Sequence, residues 1–128
     1  MEKTTFRLSR IGTILLGVKE VGRSIPFYRD VLGLALTAQF EGFAFFNAGG
    51  VTLALSEGLA RAIPHIGGAM ELVFAVEGVR EAHAALRAKG VNFKIEPRQV
   101  SGPNWAANFD DPDGNHLSIF GPSSQGLV

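Results

Sequence analysis

An internal repeat constrains the fold of this chain more than any other feature of its sequence. The segment Val18–Val21 aligns with Val76–Val79, and the residues around both segments follow the same order. A strand-like apolar run precedes each segment, and a helical pattern follows it. Each helical pattern ends at a glycine, Gly33 or Gly90, which tolerates the positive φ of a helix C-cap. This self-similarity indicates two copies of one structural unit.

Each glycine is followed by short strand candidates that turn residues separate. They are LALTAQF, FAFFN and VTLALS in the first half, and FKIEPRQ, WAANF and NHLSIF in the second. We therefore predict an α+β fold in which a single domain, residues 1–128, contains two tandem β-α-β-β-β modules, about 8–57 and about 69–122. Glu57–Gly68 would be their connector. The modules would form a curved mixed sheet, a partial barrel, with helices outside and a cleft inside, where a site is expected.

Composition excludes several classes of protein. Twelve basic residues balance twelve acidic ones without clustering, which argues against a nucleic-acid partner. No apolar run approaches the roughly 18 residues of a membrane span, and no export signal is apparent, so we expect a cytoplasmic protein. The absence of cysteine excludes disulfides and thiolate ligands or nucleophiles.

Three stretches carry a family resemblance: V-x-x-V-x-x-S-I-x-F-Y-R-D-V-L-G-L at Val18–Leu34, A-x-L-x-A-x-G-V at Ala84–Val91, and F-x-D-P-D-G-N at Phe109–Asn115. Together they resemble the vicinal oxygen chelate superfamily, which includes glyoxalase I, extradiol dioxygenases, fosfomycin-resistance enzymes and bleomycin-resistance proteins. The resemblance implies the predicted fold and a metal held in the cleft by His, Glu or Gln side chains. It also implies a homodimer, because dimers with clefts built across the subunit interface are common in that superfamily.

The metal-ligand positions that the resemblance implies hold mostly non-ligand residues here. Counting from the motifs places them at Thr13, Glu71 and Ser118, with Leu53 and its neighbours as the nearest candidates in the first half. Only Glu71 has a side chain of the type that binds transition metals. We therefore expect no metal and no other cofactor. The DPDG stretch lacks the glutamate of a calcium loop and instead predicts a type I turn with Pro112 and Gly114.

Strand alternation predicts which side chains face the cleft. It places His116, Ser118 and Phe120 on the cleft face, and Glu71 on the cleft face of its own strand. A carboxylate in an apolar cleft would have its charged form disfavoured, as at many functional sites. Glu71 could act as a base, bind a cationic ligand, bond to Thr13 or form a structural ion pair. His116 could be a general acid, a ligand partner or an ordinary cleft-edge residue.

The remaining candidates are aromatic or aliphatic. Phe43 and Phe45 share one face of their strand, Phe46 lies on the other, and Trp105 is the only tryptophan. His65 and His83 are expected at the surface. Glu71 and His116 are the candidate catalytic residues, and the predicted ligand-binding residues are Thr13, Leu15, Phe43, Phe45, Leu53, Glu71, Trp105, His116, Ser118 and Phe120.

Three functions fit these features. The first is a metal-free protein that binds a small, partly aromatic molecule in the cleft. The second is an enzyme: a metal-dependent lyase, isomerase or dioxygenase with a non-standard ligand set drawn from Glu71, His116 and His65, or a metal-free catalyst with Glu71 as base. The third is a dimerisation or regulatory module whose cleft is filled by its own side chains.

Overall fold

The first half of the chain folds into one β-α-β-β-β module. The computed structural model describes residues 10–62 and 70–126. The elements of the first module are β1 (Thr13–Gly17), α1 (Val21–Pro26), a π-helical segment (Phe27–Val31), β2 (Ala35–Phe40), β3 (Phe43–Asn47) and β4 (Thr52–Ser56). They form a four-stranded sheet in the order β1-β4-β3-β2, in which only β1 and β4 are parallel.

The second half repeats this order. Its elements are β5 (Leu72–Ala75), α3 (Val79–Ala88), β6 (Phe93–Ser101), β7 (Asn104–Asp110) and β8 (His116–Pro122). The sheet order is β5-β8-β7-β6, with β5 and β8 parallel. The predicted α+β fold is therefore confirmed, and its strands form two open four-stranded sheets rather than a closed barrel.

The helices differ from the prediction at two places. Part of the expected connector forms a further helix, α2 (Glu57–Ala62), and its Glu57 carboxylate accepts a hydrogen bond from the first N–H of α1, at Val21 (2.8 Å). Pro26 lacks an N–H and ends the α-helical bonding of α1, and the next turn is π-helical, with Leu32 N–H donating to Phe27 O (2.9 Å). Within the described residues, no helix has the length and apolarity to span a membrane.

Each sheet buries the face that its helix covers. In the first module, β1 and β4 pair Ile14 with Leu53 and Leu16 with Leu55, and these side chains belong to one hydrophobic core. The largest fully buried side chains are Tyr28, Phe46 and Phe109. The opposite face of each sheet is called the open face below. It carries large apolar residues that remain exposed, although soluble proteins rarely expose large contiguous apolar patches.

The DPDG turn fastens the two modules together. Gly114 has φ +88°, and its N–H donates to Asp111 O (3.0 Å), so the predicted turn forms. In addition, Asp113 accepts hydrogen bonds from module 1: from Lys19 N–H (3.1 Å), Arg23 Nη2 (2.8 Å) and Ser24 Oγ (3.2 Å). The turn therefore holds helix α1 against the second module, a role that its local sequence did not predict.

A buried tyrosine completes this junction. Tyr28 is fully buried and donates its hydroxyl to Asp111 Oδ2 (2.7 Å). Asp111 also accepts from the backbone N–H groups of Asp113 and Asn115 and from Asn115 Nδ2, each at 2.8 Å. Burial, reinforced by the Asp111 carboxylate, raises the pKa of Tyr28 far above its usual value. The hydroxyl therefore stays protonated and remains a donor.

Candidate functional site

The open face of the first module presents aromatic rings. Leu15 of β1 lies beside Ala54 of β4, which lies beside Phe45 of β3, so these three residues share this face. The rings of Phe43 and Phe45 are stacked, with centroids 6.1 Å apart and 8° between planes, and Phe40 meets Phe45 edge-on. Leu15 and Phe43 are 43% and 38% exposed. The face is thus an apolar surface that remains accessible in this chain.

Leu53 does not belong to this face, contrary to the expectation. It pairs with Ile14 and Phe46 on the core face and is only 1% exposed. The prediction was shifted by one residue, and a shift of one residue in a strand reverses the face. Ala54 pairs with Leu15 as Ser118 pairs with Val73, so Ala54 is the first-half counterpart of Ser118.

Trp105 also faces away from the cleft, so its assignment to the ligand-binding set is corrected. It pairs with Gly121 of β8, whereas the neighbouring residue Ala106 pairs with Phe120 on the open face. The indole packs against the hydrophobic core, and the Arg80 guanidinium of α3 lies 4.7 Å from the ring centroid. Trp105 therefore anchors helix α3 to its sheet.

The open face of the second module is more polar. Ser118 lies between Val73 and Asn108 on this face and is 2% exposed, while Phe120 lies between Ala75 and Ala106 and is half-buried. Glu71 precedes β5 and is exposed. Thr13, on the first module, is also exposed.

A hydrogen-bonded chain links Glu71 to an arginine. Arg98 Nη1 donates to Asn108 Oδ1 (2.7 Å) and to Ala106 O (3.1 Å), and Asn108 Nδ2 donates to Glu71 Oε1 (3.1 Å). Because the arginine can only donate, it fixes the orientation of the Asn108 amide. The partner of Glu71 is therefore Asn108 and not Thr13. Strand alternation along β7 could have predicted that Asn108 lies opposite Ser118. The position of Arg98 could not be predicted in this way, because bulges in β6 interrupt the alternation.

His116 is oriented by a carboxylate. Its Nδ1 lies 2.9 Å from Asp110 Oδ1, and the other oxygen of Asp110 accepts from Lys94 Nζ at 3.1 Å. A neutral His116 therefore carries its proton on Nδ1 and presents Nε2 as an acceptor.

His83 does not join this arrangement. The His83 side chain is only 16% exposed and packs against Phe93 with centroids 4.5 Å apart, so the expected surface position is wrong. Its Nε2 lies 2.9 Å from Glu96 Oε1. His65 lies outside the described residues.

Glu71 and His116 both line a pocket between the modules. This inter-module pocket has a volume of about 220 Å³, and its other lining residues are largely apolar, among them Leu15, Leu59 and Leu72. A second hollow of about 170 Å³ on the open face of the second module is also lined by Glu71 and His116, together with Lys94, Asn108 and Asp110. The two candidate catalytic residues are thus brought to one place.

The residues at the implied metal positions do not fit a transition metal. Register places Thr13, Ala54, Glu71 and Ser118 there, which supply two hydroxyls, a methyl group and one carboxylate. Imidazole, thiolate and several carboxylates are the ligands that hold such metals, and one carboxylate does not suffice. In the part of the chain that the structure describes, no three His, Cys, Asp or Glu residues are grouped to hold a metal ion.

Two repeated β-α-β-β-β modules, each with an open four-stranded sheet, define one class of protein, and comparison with known families agrees. The model of the Glyoxalase/Bleomycin resistance protein/Dioxygenase superfamily matches residues 10–119. The chain belongs to this superfamily.

Solved structures share the whole architecture at low sequence identity. A glyoxalase/bleomycin resistance protein/dioxygenase from Nocardioides is 24% identical with a TM-score of 0.76, and the match covers 97% of this chain and 92% of that one. TnmS3, an antibiotic binding protein from Streptomyces sp. CB03234, is 21% identical with a TM-score of 0.76 over 93% of this chain and 100% of its own. These likenesses show the fold.

A curated relative matches a shorter stretch. Metallothiol transferase FosB from Staphylococcus haemolyticus is 45% identical over 47 residues, 37% of this chain and 34% of the relative. The match therefore spans about a third of the relative's length.

Proposed function

We propose that this protein binds a small, partly aromatic organic molecule in its cleft without a transition metal. The observation that carries the proposal is the set of residues at the implied metal positions. Among Thr13, Ala54, Glu71 and Ser118, only Glu71 has a side chain that binds such metals. The open face of the first module offers stacked aromatic rings, and the inter-module pocket is largely apolar, which suits an organic ligand. A binding role is also consistent with the similar architecture of an antibiotic binding protein.

We also propose that the protein is a homodimer. Large apolar side chains on the open faces remain exposed, including Phe40 at 63%, Val73 at 56% and Ile95 at 46%. Exposed apolar surface of this kind marks interfaces or ligand sites. Light scattering coupled to gel filtration measures the mass, and Phe40→Ser should shift a dimer towards monomer. A wild-type mass of one chain would contradict the proposal.

A metal-free catalyst is the second candidate, and the Asp110–His116 pair favours it. A carboxylate that orients an imidazole beside a second carboxylate, Glu71, is an arrangement that can accept a proton from a bound substrate. Turnover of a bound compound that both Glu71→Gln and His116→Asn abolish, without loss of binding, would select this candidate over simple binding.

Thermal-shift screening of aromatic natural products tests the binding proposal. A ligand at one hundred times its Kd stabilises the folded state by about 2.7 kcal/mol, which corresponds to a Tm increase of roughly 10 °C for a chain of this length. Leu15→Trp should fill the inter-module pocket and abolish the shift. Val100→Trp is the matched control, because it adds the same side chain at an exposed position outside the pocket.

Compounds that stabilise the wild type and Val100→Trp but not Leu15→Trp would support the proposal. Equal shifts in Leu15→Trp would place binding elsewhere and contradict it. A requirement for added metal would also contradict it.

A further inference from the structure

The inter-module pocket pairs an apolar lining with two hydrogen-bond acceptors. Glu71 supplies a carboxylate, and His116 supplies Nε2 once Asp110 holds the proton on Nδ1. Both residues line the same pocket as Leu15, Leu59 and Leu72. A ligand that fills the pocket therefore meets acceptors at its polar end and needs donors there.

The inter-module pocket has one acidic side chain among its described lining residues, that of Glu71. Of the described residues that line it, Glu71 is the only acidic or basic side chain apart from His116. Among the described residues, no lysine or arginine forms an ion pair with Glu71, whereas Asp110 is paired with Lys94 and His116. The Arg98 charge reaches Glu71 only through the neutral amide of Asn108. The pocket thus presents a carboxylate that is not directly paired within residues 10–62 and 70–126.

The Glu71 carboxylate is also held in place. Arg98 fixes the Asn108 amide, and that amide donates to Oε1 of Glu71. The second oxygen, Oε2, accepts no hydrogen bond from the described residues. A fixed carboxylate with one uncommitted oxygen binds a charged donor better than a mobile one, because less conformational freedom is lost on binding.

We propose that this pocket selects an organic cation: a primary ammonium or an amidinium attached to an apolar, partly aromatic body. The cationic head donates hydrogen bonds to Glu71 and to Nε2 of His116, and the body lies among the leucines. This inference rests on the proposed binding function and specifies the chemical class of its ligand. In this proposal Glu71 binds an organic cation rather than a metal ion.

Three probes of matched shape test the inference: phenethylamine, phenethyl alcohol and hydrocinnamate, which carry a positive, a neutral and a negative head. Isothermal titration calorimetry measures each Kd for the wild type, Glu71→Gln and Glu41→Gln. Glu41 is exposed in the turn between β2 and β3, so its variant controls for net charge. Thermal unfolding of each variant checks that it is folded.

We expect the amine to bind at least about tenfold more tightly than the alcohol, and the carboxylate to bind most weakly. Glu71→Gln should weaken amine binding about tenfold and leave alcohol binding unchanged, while Glu41→Gln changes neither. Raised salt should weaken amine binding in the wild type, because the Glu71 carboxylate is exposed to solvent.

Equal affinity for the three heads, or amine binding that Glu71→Gln leaves intact, would overturn the cation inference and preserve the binding proposal. No measurable binding of any probe would overturn the inference, and if the natural-product screen is also negative the binding proposal falls with it.

Discussion

Replacing Tyr28 with phenylalanine removes one buried side-chain hydroxyl that joins the two modules. The ring would keep its contacts with Phe27 and Phe46, whose centroids lie 5.2 and 5.8 Å away. Only the 2.7 Å hydrogen bond to Asp111 is lost. Net hydrogen bonds to charged groups contribute about 1.5–3 kcal/mol. For a chain of this length that corresponds to a Tm fall of roughly 6–11 °C.

Thermal and urea unfolding measure this change, with Thr37→Val as the control. Thr37 is exposed and donates to Phe45 O, so losing its hydroxyl should change the free energy of unfolding by no more than about 0.5 kcal/mol. A Tyr28→Phe variant as stable as the wild type would refute the view that the Tyr28–Asp111 bond fastens the modules.

Alkaline pH provides an independent check on the same residue. The pKa of Tyr28 is raised in the folded state, so its contribution to stability is fully present below about pH 10, the unfolded value, and falls above it. The stability gap between the wild type and Tyr28→Phe should therefore narrow by about 1.4 kcal/mol per pH unit above pH 10. Because the chain has one tyrosine, tyrosinate absorbance reports it alone. Absorbance that rises near pH 10 while the protein is still folded would contradict the burial argument.

Two further pairs of substitutions test the packing. A Cβ added at Gly121 would collide with the carbonyl oxygen of Val76, whereas one at Gly22 meets no atom within 4 Å. Gly121→Ala should therefore unfold at a much lower temperature, and Gly22→Ala, within helix α1, should gain about 0.5–1 kcal/mol; equal stability of the two would be inconsistent with this. Leu53→Ala should lower the free energy of unfolding by about 2–5 kcal/mol, and Leu15→Ala, at an exposed position, should lower it far less. The reverse order would indicate that Leu53 faces the cleft.

The repeat and the turn residues were enough to predict both modules. Gly33 and Gly90, for example, both have positive φ in the structure, and each marks the end of a helical segment through its own conformational freedom. Helix α2 was missed because its six residues follow β4 directly and look like part of a connector. Leu53 and Trp105 were wrongly included among the ligand-binding residues. Assigning the face of a strand residue requires the exact register, and apolar side chains occur on both faces of these strands.

The site itself depends on contacts that sequence patterns do not encode. Asp113 and Ser24 are 89 residues apart, and Asn108 and Glu71 are 37 residues apart, yet each pair is hydrogen-bonded. Only the folded chain brings these groups together. Glu71 and His116 could be proposed from the expected strand positions. Alternation along β7 also indicates the face of Asn108, whereas the bulges in β6 prevented the placement of Arg98.

Elemental mass spectrometry of protein purified without chelator shows most directly whether the cleft holds a transition metal. The measurement is repeated after incubation with Zn²⁺, Ni²⁺, Mn²⁺ or Fe²⁺ and gel filtration, for the wild type and Glu71→Gln. We expect only substoichiometric metal in both proteins, because Glu71 is the one transition-metal ligand among the residues at the implied metal positions. Near-stoichiometric metal in the wild type that Glu71→Gln abolishes would contradict it and establish a metal site at Glu71.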